Sequence, residues 1–280
     1  MGAQAVDLLW KIGVAVIAAI IGFLVTERLK SAYRVTQLTP RNYHRYFHQF
    51  TELYSERIEP DQQISPAVIS EYVLDRQTSP RSRRELRRMF PGSERHPIAH
   101  QLFLAVRRGE VIGFLCALIN LRRSYVFITY LAVRPPPDAP RDTAARLLRR
   151  VRRRIRGILP HEKFLFEVSP PFSDSFNSRA KFRLFNEYGK SFRMATERVP
   201  VTYIQPDMDP ESLNGSTEEF ADLYVTAAAE HLESFDREDH LKLVRSLYFD
   251  MYLRFFPDIA VQPEYAEYLS SLYGIVTESA

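Results

Sequence analysis

Seven arginines, Arg146, Arg149, Arg150, Arg152, Arg153, Arg154 and Arg156, fall within eleven residues. Guanidinia at that density suit phosphate, whether on anionic lipid headgroups or on nucleic acid. On a helix they cover every face except a Leu147, Val151, Ile155 stripe, so a solvated face neutralised by other parts of the chain is the competing reading. Arg81, Arg83, Arg84, Arg87 and Arg88 form a second cluster open to the same readings. His44 and His48 stand at i, i+4, a spacing that can hold a metal. No Glu lies between them and no third ligand is evident, so they read as surface histidines and no metal is expected. Cys116, the only cysteine, excludes a disulfide framework and a cysteine-rich zinc site, and its place in an apolar strand makes it a small core residue. Walker loop, Gly-x-Ser-x-Gly elbow and acidic metal cluster are all missing from the sequence. No nucleic-acid-binding domain motif is present, so nucleic acid is not an expected partner.

The rest of the chain must position whatever chemistry remains. At 45% hydrophobic and 26% charged, its 280 residues have globular composition, which excludes a disordered chain. The net charge of +4 conceals a segregation. From Asp207 onward there are 16 acidic and 4 basic residues, against 18 acidic and 34 basic before it. This predicts that the acidic C-terminal part covers basic surface, within one chain or across a homodimer. At the N-terminus, Leu8–Val25 is an 18-residue apolar run interrupted only by Lys11. As a helix it would be about 27 Å long, close to the ~30 Å hydrocarbon core of a bilayer. Trp10 suits the headgroup belt, and Lys11 can snorkel to it. Asp7 before the run and Thr26-Glu27-Arg28 after it do not fit a cleaved signal peptide. Arg28, Lys30 and Arg34 flank the C-terminal side only. The expectation is a single-pass anchor over residues 1–30, with the N-terminus outside and the bulk of the chain cytoplasmic.

Residues 31–205 read as a mixed α/β domain. Tyr33–Leu38 alternates as a strand, and three helix starts pair a hydroxyl cap with proline: Thr39-Pro40, Ser65-Pro66 and Ser79-Pro80. Tyr43, Tyr46, Phe47, Phe50, Leu53 and Tyr54 make one helical stripe. A hairpin follows, Gln101–Val106 and Val111–Ile119, then a strand Tyr125–Val133 whose continuous apolar run suits burial on both faces. Asp142–Ile158 is predicted as a helix, Phe164–Val168 as a buried strand, Ser178–Tyr188 as a helix capped by Gly189, and Val199–Ile204 as the last strand. Residues 206–280 read as an acidic helical extension. Its helices are expected after the Ser216–Glu219 capping box, over Arg237–Phe256 behind Asp236, and over Pro263–Tyr273.

This order of hairpin, long strand, helix, strand, helix and strand resembles the GNAT superfamily of acyl-CoA-dependent N-acetyltransferases, over about residues 32–205. Leu131-Ala132-Val133-Arg134-Pro135 resembles the family's L-A-V-x-P ending of its fourth strand. Phe166-Glu167-Val168, Asn177-Ser178-Arg179-Ala180 and Phe185-Asn186-Glu187-Tyr188-Gly189 resemble its following block. The resemblance implies acetyl-CoA or another acyl-CoA as donor and an amine as acceptor. It also implies that the backbone of Leu131, Ala132 and Val133 holds the pantetheine arm. Arg141, Asp142, Thr143 and Ala144 would hold the pyrophosphate at a helix N-terminus, with Asn177 either a cofactor contact or a helix cap. The chain departs from the pattern at three places. Arg146 takes the second small position of the pyrophosphate loop. The fourth strand carries Thr129 and Tyr130 but no carboxylate, and Phe185 stands where the family's acid tyrosine aligns. Tyr188, three residues on, or Tyr130 would then be the acid; alternatively Tyr188 simply packs under the Gly189 cap. These departures also motivate a second reading, a catalytically silent GNAT-like binding or regulatory module at the membrane.

Overall fold

The computed structural model describes residues 33–74, 98–159, 161–168, 176–207, 219–254 and 263–279. The expected anchor, Leu8–Val25, the helix expected after Ser79-Pro80 and the second arginine cluster lie outside the described residues. Among the described residues, no helix is long and apolar enough to cross a membrane.

The hairpin forms as expected. β2 (Ile98–Arg107) and β3 (Glu110–Asn120) are joined by Arg108 at φ 52° and Gly109 at φ 91°. A two-residue turn with positive φ at both positions matches the twist of the flanking strands. β4 (Tyr125–Val133) returns antiparallel to β3, and β1 (Arg34–Gln37) adds to the far edge of β2. β5 (Phe164–Val168) is parallel to β4. Two layers of helices cover this sheet. On one face α1 (Tyr43–Arg57) buries Tyr46, Phe50, Leu53 and Tyr54, with Phe50 edge-on to Phe114 of β3 at 5.1 Å between ring centroids. α2 (Pro66–Leu74) opens at the expected proline, with the Ser65 hydroxyl accepting from the Ala67 N–H at 3.3 Å. On the other face α3 (Thr143–Ile155) buries Leu147, Leu148, Val151 and Ile155. α4 (Phe176–Ser191) lies beside it, with Phe185 and Tyr188 inward. β4 reads as a continuous apolar run because both of its faces are covered.

Four expectations are corrected. Val199–Ile204 is not the last strand of the sheet: β6 is Met194–Arg198, and only Ile204–Gln205 extends further, as a two-residue strand β7 paired with β8 (Glu219–Phe220). Gly189 does not cap α4, which continues to Ser191. A Cβ there would meet the Met194 carbonyl and the Thr226 methyl, each at 3.1 Å, so this glycine permits close approach to the sheet. The residue with positive φ after the helix is Arg193.

Most consequential is β9 (Asp222–Ala228), in the region expected to be helical. It pairs antiparallel with β5 on one side and β6 on the other, giving the sheet order β1-β2-β3-β4-β5-β9-β6. Leu223, Val225 and Ala227 are buried toward one core, while Tyr224 packs against the other, which is the period of two that a strand between covered faces requires. The α/β body therefore does not end at residue 205.

After a single helical turn, α5 (Ala229–Leu232), the chain forms α6 (Arg237–Ser246), capped by Asp236 through the Asp239 N–H at 2.8 Å. It widens into a π-helical turn, Leu247–Met251, and then tightens into a 3₁₀ turn, Tyr252–Arg254; the last described helix is α7 (Pro263–Ser279). Leu243, Val244, Leu247, Tyr248, Met251, Leu269 and Leu272 all join the core on the α1 face. The acidic helices thus lie across the sheet from arginine-rich α3, which corrects the expectation that they cover that part of the basic surface within one chain.

Candidate active site

β4 and β5 pair only at Val126 with Phe164 and at Phe127 with Leu165. Beyond Phe127 they fork. Two features of the sequence open the fork. Thr129 is an extra residue in β4, since Cys116 pairs with Tyr130 but Ala117 pairs with Ile128; such a bulge bends and twists its strand. The Thr129 hydroxyl fixes it by donating to the Cys116 carbonyl at 3.2 Å. β5 meanwhile pairs along its whole length with β9 and follows it away from β4. Leu131, Ala132 and Val133 therefore keep their β3 partners but have no strand on their β5 side among the described residues.

The free edge leads to the start of α3. Arg107 donates to the Pro137 and Asp138 carbonyls at 3.2 and 3.1 Å and pins the loop over the hairpin. Thr143 is buried, its hydroxyl donating to the Pro140 carbonyl at 2.6 Å. Asp142 occupies the cap position without capping. Its carboxylate instead accepts from the Tyr33 hydroxyl at 3.0 Å and from Arg146 Nε at 2.7 Å. Partial burial pushes the Asp142 carboxyl up, but the Arg146 and Tyr33 hydrogen bonds outweigh it and hold the group below its ordinary value. The acid that would oppose an anion at this helix start is thus already paired, and no side chain caps the first turn. Arg141 is exposed beside it, Ala144 is half-buried in the first turn, and Asn177 lies in the first turn of α4.

Both candidate tyrosines engage their hydroxyls in hydrogen bonds to the backbone. The Tyr130 hydroxyl donates to the Gln62 carbonyl at 2.7 Å and accepts from the Ile64 N–H at 3.3 Å, tying β4 to the loop before α2. The Tyr188 hydroxyl donates to the Leu148 carbonyl at 3.2 Å in a core position only 4% exposed. Burial pushes both phenols far above their ordinary value. Tyr130→Phe and Tyr188→Phe are accordingly expected to cost about 1–2 kcal/mol each in chemical denaturation, as lost buried hydrogen bonds do. Any acyl transfer should change less than threefold; a hundredfold loss at unchanged stability would restore a catalytic role.

The structure offers a different pair. Glu167 projects from β5 on the same side as Leu165, two residues past the last β4 pair, on the face covered by α1 and the C-terminal helices. Its carboxylate accepts hydrogen bonds from the Tyr203 hydroxyl and, at 2.7 Å, from the Tyr252 hydroxyl. The Tyr252 ring lies 6.3 Å from that of Phe127 on β4, so the group sits at the fork. Burial pushes the Glu167 carboxyl up, against the two tyrosine hydrogen bonds and the charge of Lys181. Lys181 is on α4, one turn before Phe185, which stacks on Phe166 at 3.9 Å. Burial pulls its ammonium down, against the Glu167 charge. Glu167, at the fork, and Lys181, on α4, interact through their charges, and burial shifts each toward its neutral form, the directions that suit a proton acceptor and a proton donor.

A small apolar cavity of about 30 Å³ adjoins the bulge between α2 and the sheet, lined chiefly by Ile64, Val68, Ile69, Leu102, Leu118 and Thr129. Among the described residues, no group of three or more His, Cys, Asp or Glu could hold a metal ion. His48 pairs instead with Glu52 at 3.3 Å on the exposed face of α1.

No protein-family model and no curated protein sequence matches the chain. Several solved structures resemble it. One from Bacteroides thetaiotaomicron, described as an acetyltransferase of the GNAT family, shares 14% identity at a TM-score of 0.48, over 78% of this chain and 98% of that one. Another GNAT-family acetyltransferase, from Desulfovibrio desulfuricans, shares 12% at 0.42, over 71% and 100%. The catalytic domain of a Tetrahymena histone acetyltransferase in complex with coenzyme A shares 14% at 0.36, over 69% and 93%. The likeness is to GNAT-family acetyltransferases. At such distances it assigns neither acceptor nor activity to this chain.

Proposed function

We propose that this chain has a GNAT-like fold and transfers an acyl group from an acyl-CoA to an amine. The observation that carries the proposal is the fork, with a free strand edge that leads to an uncapped helix start and with Glu167 on its β5 arm. These residues fit the donor. Leu131–Val133 can pair with an amide-bearing arm, and Arg141 with the first-turn amides of α3 can take a pyrophosphate, Asp142 being held by Arg146. Glu167 takes one proton from the acceptor ammonium. The freed amine attacks the thioester carbonyl, the C–S bond breaks, and the departing thiolate takes a proton from Lys181. The second proton lost by the acceptor nitrogen restores Lys181.

The test is calorimetric titration of the detergent-solubilised full chain with acetyl-CoA and free CoA. We expect micromolar Kd values, followed by mass-spectrometric detection of acylated amines from an acceptor panel. Absence of binding to folded protein would overturn the proposal.

The silent module remains a second reading because one observation favours it. The Tyr203 and Tyr252 hydroxyls already occupy Glu167, and the C-terminal helices cover that face of the fork. Tight binding of CoA without turnover of any acceptor would select it. In both readings Leu8–Val25 is taken as a single membrane span with the body of the protein in the cytoplasm, supported by the flanking charges in the sequence.

A further inference from the structure

Seven arginines in the stretch containing α3 are not equivalent. Arg146 pairs with Asp142, and Arg152 and Arg156 pair with Glu162. Arg152 also lies over the Phe192 ring at 3.9 Å, on the inner side of the helix. Arg149, Arg150 and Arg153 make no ion pair among the described residues; Arg149 and Arg153 are exposed, and Arg150 is half-buried with its Nε covered. They occupy the outer side of a helix whose opposite stripe is buried in the sheet. α6 and α7 pack on the other face of the sheet.

A second observation places this face relative to the N-terminus. Tyr33, where the described chain begins, donates to Asp142 and lies under the Arg146 guanidinium at 4.5 Å. The chain therefore enters the body at the first turn of α3. Eight residue steps separate Tyr33 from Val25, the end of the apolar run, and can span at most about 29 Å. α3 itself is about 20 Å long. With the apolar run in a bilayer, the arginine face cannot lie far from the headgroups.

We propose that the outer face of α3, centred on Arg149, Arg150 and Arg153, docks on an anionic phospholipid surface. Tethering favours lipid over nucleic acid as the source of phosphate, because it keeps headgroups at a high effective concentration beside this face. Each arginine near such a surface contributes about a factor of five. The choice of lipid over nucleic acid rests on the membrane reading of Leu8–Val25, and the proposal is independent of acyl transfer.

The full chain would be reconstituted into nanodiscs of phosphatidylcholine, alone or with phosphatidylglycerol, and treated with phenylglyoxal. Modification would be read residue by residue by mass spectrometry. The expected result is several-fold slower modification of Arg149, Arg150 and Arg153 in the anionic discs, lost at high salt, with Arg198 and Arg237 unchanged. Equal rates in both discs would overturn the docking face. If the chain does not insert, the anchor reading fails, and the same protein is mixed with anionic vesicles. Salt-dependent binding weakened on the order of 10²-fold by R149Q/R150Q/R153Q would still support the face; no binding would overturn it. Binding of a nucleic acid duplex through the same arginines, with none to vesicles, would also overturn it.

Discussion

Glu167→Gln is expected to lower acyl transfer by roughly 10²- to 10⁴-fold, the usual range for loss of a general acid or base, without lowering Tm at pH 8. The two expectations belong together. A carboxylate whose pKa is raised on folding binds more protons in the folded than in the unfolded state over the interval between the two values. Its contribution to stability therefore falls as pH rises from the ordinary carboxylate range through the raised folded value. Above that value the buried charge weighs fully against the fold, and Gln, with the same shape and an oxygen for Tyr203 and Tyr252, lacks that cost. Lys181 works in the opposite sense: with its folded pKa lowered, its contribution falls as pH drops below the ordinary lysine range. The pH profile of kcat/KM separates the roles. Glu167→Gln should abolish the acid limb and Lys181→Met the alkaline one. A Gln variant that keeps its activity within threefold and retains the acid limb would remove Glu167 from the mechanism. One that loses activity and several degrees of Tm together would make it structural.

The residues that sequence reading recovered and those it missed differ in how local their determinants are. The hairpin announces itself through Arg108-Gly109 between apolar runs, and β4 and β5 appear at their expected bounds because their patterns are local. The free edge at Leu131–Val133 was legible only through family resemblance. What opens it, the Thr129 bulge and the turning away of β5, is a matter of register between strands. Glu167 was in plain view as the one charge in Phe-Leu-Phe-Glu-Val, and an unpartnered charge in a buried strand is a signal in itself. Its partners, however, lie 36 and 85 residues away. Lys181 carried a weaker signal. It is one of six lysines among 38 basic residues, placed on the inward side of a helix in a chain that uses arginine elsewhere.

The other large effect concerns the boundary that composition suggested at residue 205. A chain ending at Pro206 should not fold, because the change from basic to acidic composition does not coincide with the edge of the core. Among the described residues β6 pairs only with β9, and β5 would keep only its two-residue pairing with β4. The deletion also strips the α1 face of Leu223, Val225, Val244, Leu247, Met251, Leu269 and Leu272, each no more than 2% exposed. At about 1.5–3 kcal/mol for each buried side chain, these seven match or exceed the total stability of an ordinary domain, about 5–15 kcal/mol. Glu167 would lose Tyr252 as well. Circular dichroism and a proton NMR spectrum of residues 1–206 in detergent should show little fixed tertiary structure, while the full chain unfolds in one cooperative transition. A dispersed spectrum from the shorter chain, or two separate transitions in the full one, would mean that the acidic helices are an appendage after all. The hydroxyls over Glu167 would then belong to a removable cover, and the silent reading would gain accordingly. If the two parts unfold as one, the C-terminal helices are a built-in wall of the fork, and the amine must reach Glu167 past Tyr203 and Tyr252.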